Sequence, residues 1–340
     1  MTGSGGVDGA GGAPAAGRGG RGSPSPAAAE RSDSRTMRSR DDERVPRPRA
    51  PARLDETILR VAGELDAAGV ALGHGTAEPV DEAAWLVLHA IGLSPVEPPD
   101  HARVLDAREL AAADALVARR VDERRPTAYL TGRAWFAGHE FLCDERALVP
   151  RSPLAELVAE GFLGLVPTDR DVAVLDLCTG GGCIAIACAH ALPRARVDAS
   201  DLSAEALSLA AENVRLHGLE DRVRLLQGSL YEPVRGPYDL VVSNPPYVDA
   251  ADLAAMPEEY RHEPPMGLGA GKDGLALVRD ILAGAADVLA PEGVLVVEVG
   301  NSAPALERAF PELDFAWIEF AHGGDGVFAL DRAALAARFG

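Results

Sequence analysis

The stretch VAVLDLCTGGGCIA, Val172 to Ala185, runs from an apolar segment into three consecutive glycines and out into a second apolar segment. Glycines between a strand and a helix let a ligand approach the backbone closely. Downstream, apolar strand-like runs recur at 195–200, 223–227, 239–243 and 293–299. Amphipathic helical stretches separate them, such as SAEALSLAAENVRLHG (203–218), with Ser203 as its N-cap and Gly218 just past its end. Repeated β-α units with apolar strands predict a parallel α/β sheet covered on both faces. The last two apolar runs, FAWIEF (315–320) and GVFAL (326–330), are joined by the turn-rich AHGGD and read as a terminal antiparallel hairpin.

The glycine loop admits two ligands. Gly180-x-Gly182-x-x-Ala185 fits a dinucleotide fingerprint, and Asp201 stands at the end of the second strand, where a ribose-binding acid belongs. The plainer alternative is a tight turn. Asp176, four residues before Gly180, weighs against a pyrophosphate, which a carboxylate repels. S-adenosylmethionine (SAM) carries a cationic sulfonium and an ammonium but no phosphate, so an acid there is favourable. NAD remains the competing cofactor on these residues.

The strand at 239–243 ends in Asn244-Pro245-Pro246-Tyr247. Two prolines cannot continue a central strand, and the turn belongs at the carboxyl end of the sheet, beside the glycine loop. Asn244 offers a carbonyl acceptor in extended backbone, Pro245 a second acceptor, and Tyr247 a flat face. Together they form a slot for a planar group bearing NH₂, facing a methyl donor. A strand-ending turn with a packed tyrosine is the structural alternative. Asn244, Pro245 and Tyr247 are the catalytic candidates, and Asn244 to Tyr247 the substrate-binding ones.

The remaining chain divides by composition. Residues 1–52, rich in Gly, Ala, Pro, Ser and Arg, read as a disordered low-complexity tail that translation from Met37 would mostly remove. Residues 53–126 read as a small helical domain for substrate docking, with Asp81 as a cap and Pro126 as its end. Residues 127–150, with turn glycines Gly132 and Gly138, read as a β-hairpin linker in which Trp135, Phe136 and Phe141 pack. Residues 151–340 carry the sheet. The net charge of −19 argues against a broad nucleic-acid surface and suits a basic protein partner. No apolar run is long enough to span a membrane. Cys143, Cys178, Cys183 and Cys188 lack the tight pairing of zinc ligands and read as small buried residues in a reducing cytoplasm, with no metal expected.

D-x-x-T-G-x-G, the acid after the second strand and N-P-P-Y together resemble the SAM-dependent amino methyltransferases. EFLCDERALVPRSPLAEL (140–157), GHGT (73–76), AYLTGRAWFAGHEF (128–141), the segment from Asn244 through EYRHEP to Leu275, and GGDGVF (323–328) resemble the HemK-like protein glutamine methyltransferases. The Arg151-Ser152-Pro153 form is similar to the PrmB branch, whose substrate is a glutamine of large-subunit ribosomal protein three. The resemblance covers about residues 54–332 and implies a Rossmann-like SAM-dependent methyltransferase sheet. By position it assigns Cys178, Thr179, Gly180, Gly181 and Gly182 to the methionine part of SAM and Asp201 to its ribose, while Asp176 is a cofactor-binding candidate on the charge argument above. Ser229 and Leu230 fall beside its adenine, and Asn244 to Tyr247 at the target glutamine. Ser229 departs from the pattern, since relatives usually carry an acid there. A release factor as substrate and adenine methylation of nucleic acid are the alternatives; the missing recognition domain and basic groove speak against the second.

Overall fold

The computed structural model describes residues 49–340. Most of the tail expected over 1–52 lies outside the described residues, and its last residue already belongs to a strand. That strand, β1 (Ala52–Arg53), leads into α1 (Leu54–Ala68) and α2 (Pro79–Ala90), followed by β2 (Val104–Leu105), which pairs with β1, and α3 (Ala107–Glu123). Leu54, Val61 and Leu65 of α1 meet Leu86 and Val87 of α2 and Leu110 and Val117 of α3 in a closed apolar core. Asp106 caps α3 by accepting from the Arg108 and Glu109 amides, and the Glu109 side chain returns to the Asp106 amide. Asp81 is not a cap. Pro79 occupies the first helical position, so α2 starts earlier and Asp81 falls in its first turn.

The linker expected to be all hairpin opens with a helix, α4 (Thr127–Thr131). Thr131 Oγ1 donates back to the Thr127 carbonyl at 2.9 Å, and Gly132, at φ +68°, ends a helix rather than a strand. The hairpin itself is β3 (Arg133–Phe136) against β4 (His139–Leu142), with Phe136 and Phe141 buried and Trp135 half-buried against Trp85. After it comes α5 (Leu154–Ala159).

The sheet region then alternates as the sequence predicts: β5 (Val172–Leu177), α6 (Cys183–Ala191), β6 (Ala195–Asp201), α7 (Ala204–Leu216), β7 (Val223–Gln227) and β8 (Tyr238–Ser243). It continues through α8 (Ala250–Ala255), α9 (Ala276–Val288), β9 (Leu289–Glu298), α10 (Ala303–Ala309), β10 (Ala316–Ile318), β11 (Val327–Asp331) and α11 (Arg332–Phe339). The seven strands lie in the order β10-β11-β9-β8-β5-β6-β7, parallel from β9 to β7, with β11 and β10 antiparallel at one edge. This is the expected α/β sheet with a terminal hairpin; α11 beyond the hairpin was not anticipated. Side chains alternate between two cores. Val172, Val174, Leu240, Val242 and Val296 face the side of α5 and α6, while Leu175, Leu177, Val241, Leu295 and Val297 face α9 and α11.

The helical part is fastened to the sheet part by the segment after N-P-P-Y. Glu259 Oε1 accepts from the Ala71 amide at 2.9 Å and from Arg120 Nη1 at 3.2 Å. Arg120, 1% exposed, also donates through Nε to Glu82 at 2.5 Å and through Nη2 to the Ala71 carbonyl. Four residues on, Glu263 takes a two-pronged contact from Arg151 and accepts from the Val149 amide. A buried ion cluster is costly to break, because each remaining charge is left without a partner. Arg120→Met should therefore lower unfolding stability by about 3–5 kcal/mol in urea titrations. A loss below about 1 kcal/mol would mean that water reaches Glu82 and Glu259 freely.

Candidate active site

The order in which strands are added to the sheet reverses between β5 and β8, which run parallel. β6 and β7 lie to one side of β5, β8 and β9 to the other, so the loops leaving β5 and β8 emerge as neighbours. The register pairs Leu177 with Ser243, and Ser243 Oγ donates to the Leu177 carbonyl at 2.8 Å. From that point one chain becomes the glycine loop and the other becomes N-P-P-Y.

The glycine loop is held from below and from both sides. Asp176 Oδ2 accepts from Thr179 Oγ1 at 2.5 Å and from the Ala185 amide, which lies in the first turn of α6, at 3.1 Å. The Asp176 side chain is fully buried beneath the loop rather than in the wall of the cavity above it, and its Oδ1 has no partner among the described residues. Burial pushes its carboxyl up to about 7, against the lowering effect of the two hydrogen bonds. Asp201 reaches across from β6: Oδ2 accepts from the Gly180 amide at 2.9 Å and Oδ1 from the Ser203 amide at 2.8 Å. Asn213 of α7 donates to the Gly181 carbonyl at 2.9 Å and exchanges two further bonds with Leu142 of the hairpin. Gly182 serves as the N-cap of α6 at φ +83° and stands behind the wall. Cys178 at φ +58° and Leu230 at φ +44° are non-glycine residues in the left-handed region, and both border the cavity. Such backbone costs of order 1–3 kcal/mol each and persists where surrounding structure enforces it, often at ligand sites.

On the β8 side, the Asn244 side chain and the Pro245 carbonyl have no hydrogen-bond partner among the described residues. Tyr247 is fixed instead. Its hydroxyl donates to Glu298 Oε1 at 2.7 Å, and Ser152 Oγ donates to Glu298 Oε2. Burial raises the Glu298 carboxyl, while the two hydroxyls pull it back down. The Tyr247 ring lies so close to Gly300 that a Cβ there would sit 2.7 Å from a ring carbon, which is why this position carries no side chain. Ser152 and Glu298 are the functional neighbours that sequence reasoning passed over. The available signal was an acid inside the apolar strand run GVLVVEV, which ends on one side of the N-P-P-Y loop.

These loops share a cavity of about 760 Å³. Cys178, Thr179, Gly180, Gly181, Asp201, Ser229 and Leu230 line one end, and Asn244, Pro245, Pro246 and Tyr247 line it as well. Of the residues singled out from sequence, only Asp176 and Gly182 are outside the wall. Leu72 of the helical part, Arg151, Tyr260 and Met266 also line the cavity. The Arg151 guanidinium stands 5.4 Å from the Tyr260 ring centroid.

Residues 159–258 match the family described as Methyltransferase small domain, and residues 66–132 match the PrmC N-terminal domain. The ribosomal protein uL3 glutamine methyltransferase of Bordetella pertussis is 48% identical over 286 residues, covering 83% of this chain and 96% of that protein. Its namesake from Neisseria meningitidis serogroup B is also 48% identical over 286 residues, covering 82% and 93%. The chain belongs to the family of the ribosomal protein uL3 glutamine methyltransferases. A solved methyltransferase from Pyrococcus furiosus aligns with a TM-score of 0.42 at 18% identity, covering 56% of this chain and 88% of that one. The methyltransferase family match and the 48% identical methyltransferases make SAM the cofactor, and the cavity suits it. Its volume lies in the range of small-molecule sites. Its glycine loop, Asp176 to Gly182, carries no basic side chain that would call for a phosphate. Membership of a methyltransferase family, not the loop alone, decides for SAM over NAD. The match to the PrmC N-terminal domain runs to residue 132 and takes in α4.

Asp176 gives the site a pH signature. A carboxyl near 3.9 when unfolded and about 7 when folded makes the folded state bind more protons, so its contribution to stability falls as pH rises through that window. Asp176→Asn should flatten the change in urea midpoint between pH 5 and pH 8. The same slope in variant and wild type would place the titrating group elsewhere.

Proposed function

We propose that this chain transfers a methyl group from SAM to the side-chain amide nitrogen of a glutamine in ribosomal protein uL3. The observation that carries the reading is the pair of unengaged acceptors, Asn244 Oδ1 and the Pro245 carbonyl, on a rigid turn in the same cavity as the glycine loop. A primary amide has two N–H groups, and the two acceptors receive one each. Tyr247, tethered to Glu298, presents its ring to the planar amide and leaves it little freedom to rotate. Bound there, SAM would supply an electrophilic methyl on a sulfonium: the S–CH₃ bond breaks as the N–CH₃ bond forms, the neutral thioether is left behind, and the amide nitrogen gives up one of its two protons to water. Asn244 and Pro245 orient the nitrogen toward it, and such positioning contributes on the order of 7–11 kcal/mol when the reacting atoms are aligned. An amide nitrogen becomes nucleophilic only as its lone pair leaves conjugation. Acceptors that bind the pyramidal NH₂ more tightly than the flat one favour the transition state over the ground state. Cys178 to Gly181 hold the methionine part of SAM, Asp201 its ribose hydroxyls, and Ser229 and Leu230 flank its adenine. Asp176 acts from beneath, by fixing Thr179 and the start of α6.

The identity of the protein substrate is supported by the relatives' names and by charge. A chain at net −19 attracts a basic ribosomal protein. The helical part is the docking element in this reading, because its Leu72 lines the same cavity as the N-P-P-Y loop. A soluble cytoplasmic setting fits this substrate, and no described helix is long and apolar enough to cross a membrane.

Asn244→Ala should lower methyl incorporation into uL3 by about 10²–10³-fold while SAM affinity stays within about threefold. Radiolabelled SAM with purified uL3 measures the first and calorimetry the second. Loss of SAM binding with transfer intact would reverse the assigned roles. Run in parallel, a peptide chain release factor should gain no label; label on it and none on uL3 would move the substrate to the release factor.

A further inference from the structure

Three histidines far apart in the sequence meet where the hairpin rests on the sheet domain. His139 opens β4, His190 lies in the last turn of α6, and His217 follows α7. One ring nitrogen from each lies within 4.8 Å of the others. We infer that His139, His190 and His217 form a binding site for a divalent transition-metal ion of the zinc type, which clips the β3–β4 hairpin to α6 and α7.

The orientation of His217 is the strongest support. Its Nε2 is 2.9 Å from the Glu140 carbonyl, which can only accept, so Nε2 carries the proton. Its Nδ1 is then an acceptor aimed into the cluster, taking the His190 Nε2–H at 3.1 Å, a proton that an entering metal ion displaces. A backbone carbonyl that fixes the tautomer of a ligating imidazole is the usual outer support of a metal site. Tetrahedral zinc with bonds near 2.0–2.1 Å spaces its ligand nitrogens about 3.3 Å apart. The His190–His217 pair already has nearly that spacing, and His139 closes the remainder by a turn of its ring. That ring is stacked on His190, with centroids 4.2 Å apart and planes 20° apart, so its χ rotation out of the stack is what turns its ring nitrogen toward the others. Phe141 packs against His217 and limits its rotation.

The donor set also selects the ion. Three imidazoles with no carboxylate among them suit zinc, nickel or copper and not calcium or magnesium. The one acidic side chain adjacent in sequence, Glu140, is engaged by Arg133 at 2.7 Å. Arg222 lies near His190 but is spent on the carbonyls of Ala189, Leu192 and Pro193. Solvent fills the fourth position, because His139, His190 and His217 are all partly exposed. The clip would act on the cofactor loop through α7. Asn213, one helical turn before His217, ties the hairpin residue Leu142 to Gly181. This inference is independent of the protein substrate.

The test uses the full chain, purified without a histidine tag and stripped with chelator. Residues 1–48 contain no His or Cys and add no competing ligands. Calorimetric titration with zinc should give one ion per chain. His139→Gln and His190→Gln should each weaken it by at least about tenfold, since even outer-shell losses cost that much. Cobalt should give tetrahedral d–d bands without thiolate charge transfer, and zinc should raise the melting temperature of the wild type but not of either variant. Both sites of substitution are partly exposed, so the melting curves without metal report directly whether each variant folds. Absence of saturable binding would overturn the inference. So would binding unchanged in both variants, or a thiolate band that moves the ion to the cysteines.

Discussion

The side-by-side departure of β5 and β8 is the constraint from which the rest of the site follows. Ser243 Oγ bonds to the Leu177 carbonyl, and in the next few residues each chain turns away from the sheet. A parallel sheet that grows in both directions from one strand must leave a crevice at that place. Everything with chemical capacity here arises within a few residues of it: Cys178 to Gly181 on one lip, Asn244 to Tyr247 on the other, and Asp201 one strand along. The neighbouring strand on the far side ends in Glu298, and that acid reaches back to hold Tyr247. Precision in the crevice therefore comes from strand register, which a side chain cannot alter without moving the core.

The second constraint is ionic. The segment that leaves the N-P-P-Y turn carries Glu259 and Glu263, and both are buried. Glu259 closes on Arg120 and the Ala71 amide in the helical part, and Glu263 closes on Arg151 and the Val149 amide. Burial alone would raise the Glu263 carboxyl, yet His74 and Arg151 hold it down at about 2. A folded value below the unfolded one near 4.3 adds stability above that value, lost as pH falls toward 2. Apolar packing could have joined the two parts as firmly. Ion pairs with fixed donor geometry add orientation, so Leu72 and Tyr260 stand at a set place in the cavity wall.

Much of this was legible in the chain. The strands of the sheet are apolar runs, and a run buried on both faces advertises itself without any periodicity. Asp201, the glycines and N-P-P-Y were legible because turns and strand ends impose residue types that ordinary packing does not require. The misses have a common cause. Residue type alone makes Asp81 a cap and Gly132 a hairpin turn, but Pro79 and the back-bond of Thr131 decide those positions from nearby residues. Asp176 reads from sequence as a carboxylate near SAM's cationic groups, and strand alternation sets its side chain on the α6 face with Val172 and Val174, beneath the loop. Ser152, Glu298 and the three histidines act through contacts between segments distant in the chain. No local pattern announces such contacts; only the fold brings them together.

Asn244 shows best what the fold leaves over. Around it nearly every polar group is engaged: Ser243 with Leu177, Tyr247 with Glu298, and Ser302 with the Tyr247 carbonyl. The two prolines after Asn244 supply no N–H to satisfy its side chain, and their rigid rings keep the turn from folding back on it. An amide held extended beside an unpaired carbonyl is poor use of polar groups if stability were the only demand, because each would gain about 1 kcal/mol from a partner. The same arrangement is what a planar NH₂ group requires: two acceptors, a fixed spacing and no competing donor. The turn is thus kept incomplete by the residues that make it rigid, and the missing partners are supplied by whatever enters the cavity.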